Sequence, residues 1–160
     1  MGTSQVNESV RIGASARDVW KLVSDPLNYP RWSPETRRIR RVSGAGHWLP
    51  GDTFVGTNKV WLPWSTQCTV VVSDESTMTF EFDVAFGPMP VARWGYRVLE
   101  LSADECTLTE SWVDRRNGPL GLLVRPAGLF VGRGRDAAAR NLSNMRTTLA
   151  AVKSQAEAGA

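Results

Sequence analysis

The chain has few of the residues that build most catalytic and metal sites. Among its 160 residues are two cysteines, Cys68 and Cys106, and one histidine, His47. The two cysteines form neither a disulfide framework nor a metal-binding spacing. His47 lies in the turn GAGHWLPGD, so no Ser–His–Asp or Cys–His set can be assembled around it. We therefore expect no metal and no cofactor, and the reducing cytoplasm is the expected location.

The chain also lacks long hydrophobic runs. None approaches the roughly 20 residues that a membrane span needs. Its first ten residues, MGTSQVNESV, are polar, so we expect no secretory signal and no stable membrane insertion. The formal net charge of +3 comes partly from RRIRR at residues 37–41, where only Ile39 interrupts the arginines. A nucleic-acid surface would interleave aromatic side chains with its charge, so we interpret this run as a solvated strand face and predict no nucleic-acid partner.

Tryptophan is abundant by contrast, with seven residues. Large aromatic side chains suit both a packed core and the wall of a ligand pocket. The length fits one domain, residues 1–160, that is large enough to enclose a small cavity. The oligomeric state stays open between monomer and homodimer.

The N-terminal third predicts a strand followed by two short helices. Residues 5–13 alternate apolar and polar side chains, as a strand does. Ser15 and Asp18 form a capping box that begins the first helix. Pro26, after Ser24 and Asp25, suits the first position of a second short helix because its missing N–H costs nothing there. Trp32 follows, in the segment WSPE.

From Thr36 onward the pattern predicts six strands joined by short turns, hence an antiparallel meander. The clearest is MTFEFDVAF, residues 78–86, which alternates strictly. The period changes near the end, where apolar residues step by three and four and predict a long helix over residues 135–155. Residues 119–134 are apolar but interrupted by Pro126 and glycines, and they fit either a short packed helix or a mobile lip over a cavity.

This order resembles the helix-grip fold of the START and birch-pollen-allergen superfamily, an α+β fold. The chain is most similar to the polyketide cyclase/dehydrase family, through SVRIGASARDVWKLVSDPLNYPRWSPE, PGDTFVGTN, LTESW and NLSNMRTTLAAVK. The resemblance implies a curved, seven-stranded antiparallel sheet that grips the C-terminal helix, with a cavity between them. It also puts Trp32 near the open end of that cavity, where the indole would act either as a lid or as a core plug.

Strand alternation then selects the residues that would face this cavity and bind a ligand. The strands contribute Phe54, Asn58, Phe80, Phe82, Val84, Phe86, Trp94, Tyr96, Leu108, Glu110 and Trp112. The helix contributes Leu142, Met145 and Leu149, and Trp32 completes the set.

Glu110 is the main candidate for chemistry, with Tyr96 as its candidate catalytic partner. A carboxylate that faces an apolar cavity would need a partner or have a raised pKa, although Glu110 could equally sit at a strand end and bond at the rim. Three functions stay open. The first is binding of a small hydrophobic molecule, such as a lipid, a polyketide or an aromatic metabolite. The second is a cyclase or dehydratase that uses Glu110 as general acid or base. The third is an interaction or regulatory domain with a vestigial cavity.

Overall fold

The computed structural model of the chain describes residues 4–59, 62–116 and 137–160. They form strand β1 (Gln5–Ile12), helix α1 (Ala16–Val23), a 3₁₀ helix (Pro26–Arg31), six further strands and helix α2 (Ala137–Ala158). The strands are β2 (Thr36–Arg41), β3 (Thr53–Lys59), β4 (Pro63–Asp74), β5 (Thr79–Phe86), β6 (Met89–Ser102) and β7 (Glu105–Asp114). The segment 119–134, predicted as a helix or a lip, lies outside the described residues.

Local signals determine where the first two helices begin. The Ser15 Oγ accepts a hydrogen bond from the backbone N–H of Asp18 at 3.2 Å, which satisfies one free donor at the start of α1. Pro26 is the first residue of the 3₁₀ helix, and the Asp25 carboxylate accepts the Leu27 N–H at 3.1 Å. Both predicted helix starts are present.

The seven strands form one antiparallel sheet in the order β1-β7-β6-β5-β4-β3-β2. Strand β1 is added beside the last strand of the meander, and it pairs with β7 from Gln5↔Val113 to Ile12↔Cys106. The ladder is irregular at four places, one in β2, one in β4 and two in β6. Bulges of this kind bend a strand and increase its twist, and here they help the sheet to curve around α2. The predicted helix-grip fold is confirmed.

Helix α2 has two different buried stretches along its length. Its C-terminal half buries Leu149, Val152 and Ala156 against the core that α1 and the sheet share. Nearer its N-terminus, the buried residues include the polar Asn141 and Thr148, along with Met145. Leu142, which the apolar spacing predicts to be buried, is only half-buried, because the contact face of the helix passes through Asn141 instead.

The space between the concave face of the sheet and the helices is filled at one end and hollow at the other. Ile12, Val19, Phe80 and Leu108 are fully covered and form the solid part of the core. In β5, β6 and β7 the inward-facing residues continue past this core toward Phe86, Trp94 and Trp112. This second half of the sheet surrounds a cavity.

Candidate functional site

The cavity has a volume of about 290 Å³ and lies between the concave face of the sheet, the 3₁₀ helix and the N-terminal half of α2. Its wall is mainly apolar and rich in aromatic rings. The aromatic residues that line it are Tyr29, Phe54, Trp64, Phe82, Phe86, Trp94, Tyr96 and Trp112. Apolar walls with a few polar groups are the usual construction of small-molecule sites.

Nine of the fifteen predicted ligand-binding residues line this cavity. They are Phe54, Asn58, Phe82, Val84, Phe86, Trp94, Tyr96, Glu110 and Trp112. Each lies on a strand, where the period of two determines which side chains face inward.

The other six lie elsewhere, and their predicted place on the cavity wall is corrected. Phe80, Leu108 and Leu149 belong to the solid half of the core. Met145 packs against Ala92 and Trp112, and Leu142 is outside the cavity and half-buried. Phe80, Leu108, Met145 and Leu149 face the interior but do not border the hollow. The spacing of apolar residues indicates the inward face of an element and not how far along it the hollow extends. Leu142 differs, because it lies beside the contact face of α2.

Trp32 is the sixth of these residues. Its indole is 4% exposed and packs in the main core. The indole Nε1–H donates to the Gln155 side-chain oxygen at 2.7 Å, which ties the end of the 3₁₀ helix to α2. Trp32 therefore occupies the position of a core plug, and Tyr29, from the same helix, lines the cavity instead.

At the deep end of the cavity a carboxyl and a phenol meet. Tyr96 on β6 and Glu110 on β7 are register partners, and the Tyr96 hydroxyl donates to Glu110 Oε1 at 2.9 Å. Glu110 is only 3% exposed. Burial raises the pKa of the Glu110 carboxyl to about 8, and the hydrogen bond from Tyr96 offsets only part of this shift.

Tyr29 covers this pair from above the sheet. Its ring centroid lies 5.5 Å from that of Tyr96, and its hydroxyl donates to the Val23 carbonyl at 2.9 Å, which fixes the ring. Burial, and then the negative charge of Glu110, raise the pKa of both tyrosines well above the ordinary value. Both phenols are therefore protonated donors at neutral pH.

A second polar group lies on the sheet wall. Asn58 on β3 accepts a hydrogen bond from the Thr36 hydroxyl at 3.1 Å, and its amide is 3.4 Å from Thr66 Oγ1. Cys68, next along the inner face of β4, also lines the cavity. Burial raises the pKa of the Cys68 thiol to about 12, so it stays protonated and is not an activated nucleophile.

Helix α2 supplies polar wall residues that the sequence analysis missed. Asn141, Asn144 and Thr148 all line the cavity. Their spacing of three and four places them on one stripe of the helix. The prediction followed the neighbouring apolar stripe, although this polar stripe was equally visible as a pattern.

The partly exposed end of the cavity carries charge. Glu35 Oε1 accepts from the Asn144 amide at 2.6 Å and lies 3.4 Å from the Arg140 Nε. Arg116 binds the Asp114 carboxylate through two hydrogen bonds of 2.7 and 2.9 Å. These pairs form a polar border around an apolar interior.

The buried Tyr96–Glu110 pair is capable of acid–base or hydrogen-bond chemistry. Within residues 4–59, 62–116 and 137–160, no group of three or more His, Cys, Asp or Glu side chains could hold a metal ion.

In those same ranges no helix is both long and apolar enough to cross a membrane.

Comparison with known protein families shows to which family the chain belongs. Residues 3–157 match the model of the family described as polyketide cyclase / dehydrase and lipid transport. The chain belongs to this family. The family resemblance drawn from the sequence is thus confirmed, and the match covers nearly the whole chain.

Solved structures agree on the fold. The Zhui aromatase/cyclase from Streptomyces sp. R1128 is 20% identical, with a TM-score of 0.64 over 98% of this chain and 94% of that one. A START superfamily protein from Mycobacterium smegmatis is 16% identical, with a TM-score of 0.67 over 99% and 100% of the two chains.

A third match is to a longer protein, the di-domain aromatase/cyclase BexL of the BE-7585A biosynthetic pathway. It is 18% identical with a TM-score of 0.63, and the match covers 94% of this chain but 45% of BexL. No curated protein sequence matches the chain significantly. At these identities the structural matches establish the fold alone.

Proposed function

We propose that this protein binds a small, mostly apolar, aromatic molecule in the cavity between the sheet and α2. The observation that carries the proposal is the cavity itself, about 290 Å³, which eight aromatic residues of the described part of the chain line and which holds a buried hydrogen-bonded pair. Such a wall gives a planar ligand large contact surfaces, and the pair gives it an orientation.

The size of the cavity favours a compact ligand. Its volume lies near the lower end of the roughly 300–1,000 Å³ that is usual for small-molecule sites. A polyketide or another aromatic metabolite of a few rings suits this space better than a lipid with two acyl chains. The family description, which includes both cyclases and lipid transport, is compatible with either class.

Catalysis is the second candidate, and the Tyr96–Glu110 pair favours it. A carboxyl group whose pKa is about 8 exchanges its proton near neutral pH, as a general acid or base must. Glu110 would then take a proton from a carbon next to a carbonyl, or give one to a departing hydroxyl. Tyr96 would hold the carboxyl in place. The likeness to an aromatase/cyclase is compatible with this chemistry.

The third candidate, an interaction domain with a vestigial cavity, has less support, because the cavity among the described residues is not filled by side chains. We also propose that nucleic acid is not a partner. Arg37, Arg38 and Arg40 are exposed on β2, an edge strand, where like charges discourage pairing with another sheet. The cytoplasmic location expected from the sequence stays a prediction.

Native mass spectrometry of freshly purified protein tests the binding proposal. We expect a fraction of the protein to carry one small molecule, which is released on denaturation and shows the absorbance of an aromatic compound. Protein without any bound molecule, together with no measurable affinity for a panel of aromatic metabolites, would contradict the proposal. If a ligand is turned over, Glu110→Gln should abolish turnover and leave binding nearly unchanged.

A further inference from the structure

The Glu110 carboxyl uses only one of its two oxygens for hydrogen bonds with the described residues. Oε1 accepts the Tyr96 hydroxyl, whereas Oε2 is buried and has no hydrogen-bond partner among the described residues. Glu110 also lines the cavity. A buried polar atom without a partner is costly, so a ligand that offers a partner to Oε2 gains affinity by removing that cost.

The hydrogen bond from Tyr96 determines which oxygen carries the proton of the neutral acid. Since the phenol donates to Oε1, this oxygen acts as the acceptor and the proton resides on Oε2. Among the described residues, Glu110 forms no ion pair with an Arg or Lys. Burial keeps the carboxyl mostly neutral at pH 7. Oε2–H is therefore a buried donor without an acceptor among the described residues, on a side chain that lines the cavity.

Among the charged and titratable groups that the structure describes around Glu110, none is a cation paired with its carboxyl. Its register partner on β1, Glu8, pairs with Arg146 of α2 at 3.1 Å. Tyr96 of β6 and Tyr29 of the 3₁₀ helix are both protonated phenols. The other described groups of this kind near the cavity are Cys68 on β4, Glu35 with Arg140, and Asp114 with Arg116.

We propose that Glu110 selects the ligand by donating a hydrogen bond from Oε2 to an oxygen of an uncharged aromatic molecule, such as the carbonyl of a ketone or quinone. This inference rests on the proposed binding function and names the chemical class of the ligand. An ammonium group would require an ionised Glu110, and burial of that ion pair repays its desolvation poorly. A carboxylate would have to lose its hydration shell inside an apolar wall.

Four naphthalene probes that differ only in one substituent test this selection. They are 2-acetylnaphthalene, 2-ethylnaphthalene, 2-naphthoate and 2-(aminomethyl)naphthalene, measured by isothermal titration calorimetry at pH 6. We expect the ketone to bind about fivefold more tightly than the ethyl compound, as one net hydrogen bond provides. The two charged probes should bind more weakly than either.

Two variants separate the donor from the charge. Glu110→Gln keeps a donor at the position of Oε2 and cannot ionise, whereas Glu110→Leu has no donor. The Gln variant should retain the preference for the ketone at every pH, and the Leu variant should lose it. In the wild type the ketone should bind about tenfold more weakly at pH 9 than at pH 6, because only about a tenth of Glu110 stays neutral one unit above its pKa.

The outcomes distinguish this inference from the proposed function. If all four probes fail to bind, the binding function itself is contradicted. If the ethyl compound binds as well as the ketone, or a charged probe binds best, the cavity binds aromatic molecules but Glu110 does not select them. A ketone affinity that stays constant from pH 6 to pH 9 in the wild type would also overturn the inference.

Discussion

At the scale of single residues, Glu110 links the fold to its candidate function. Its carboxyl is placed inward by the alternation of β7, and the core around it resists ionisation. The same burial that makes it a suitable hydrogen-bond donor therefore lowers the stability of the protein whenever the group is ionised. Stability and binding should both depend on this one proton.

The stability of the protein should consequently fall as pH rises past the ordinary range of a glutamate. The folded state holds the Glu110 proton up to a pKa of about 8, whereas the unfolded chain loses it near 4.5. Unfolding thus releases a proton between these values, and the free energy of unfolding should decrease by about 1.4 kcal/mol per pH unit from this group. Glu110→Gln should remove this slope. The free energy of unfolding of the variant should therefore increase relative to that of the wild type from pH 5 to pH 8.

Urea unfolding of both proteins at several pH values checks this. Glu105→Gln, on the same strand, is the matched control. That carboxylate is partly exposed and its hydrogen bond from Arg11 lowers its pKa, so its replacement should leave the slope between pH 5 and pH 8 in place. If the free energy of unfolding changed with pH in the same way for the wild type and Glu110→Gln, Glu110 would have an ordinary pKa and the prediction would be wrong.

At the scale of elements, β5 crosses from solid core to cavity. Phe80 is fully buried and packs edge-on against Trp20 at 6.4 Å between ring centroids. Phe82, two residues later on the same face, lines the cavity. Phe80→Ala should cost about 3–5 kcal/mol of unfolding free energy, and Phe82→Ala clearly less, because part of its ring already borders a hollow.

Urea unfolding gives both values, and the binding of an apolar dye separates the roles further. Phe82→Ala should change dye affinity, whereas Phe80→Ala should leave the affinity of the folded fraction unchanged. Equal costs for the two truncations, without an effect on binding, would mean that the cavity does not reach Phe82.

Helix α2 shows the same division along its axis. Leu149 is 2% exposed in the main core, whereas Leu142 is half-buried. Leu149→Ala should cost about 2–5 kcal/mol and Leu142→Ala well under half of that. Thermal and urea unfolding measure both. A larger loss for Leu142→Ala would place the contact face of the helix where the apolar spacing alone predicted it.

These elements show what the sequence could predict. The period of two in β5 and β7 identified the inward face, including Phe82 and Glu110, because that period follows from backbone geometry alone. Where the filled core ends and the cavity begins depends on how α1 and α2 cover the sheet, and no local pattern contains that information. The polar stripe of Asn141 and Thr148 was missed for a related reason, since polarity on a helix usually indicates solvent and here indicates a cavity.

At the scale of the whole molecule, the fold divides its interior into two parts. One end is packed by α1 and the C-terminal half of α2, with Ile12, Val19 and Leu149 in its core. The other end contains the cavity, which is lined by residues from the sheet, the 3₁₀ helix and α2. The fold therefore combines a packed half with a hollow half that has space for the proposed ligand.

Gly56 offers a way to close the cavity without disturbing the packed half. It lies on the inner face of β3 and lines the cavity. A Cβ added there would meet its nearest neighbours at 3.5 Å from Ile39 and 3.6 Å from Thr66, which is ordinary contact. Gly56→Leu should therefore extend a side chain into the hollow while the strand keeps its pairing. Val55→Leu, on the opposite face of the same strand, is the matched control.

The most direct test of the binding cavity is a titration of the wild type and both variants with the neutral fluorescent probe N-phenyl-1-naphthylamine. The wild type and Val55→Leu should bind one molecule with similar affinity. Gly56→Leu should bind at least about tenfold more weakly while its melting temperature stays equal or rises, because the added side chain fills empty space. A folded Gly56→Leu variant that binds the probe as well as the wild type would show that the ligand site lies elsewhere.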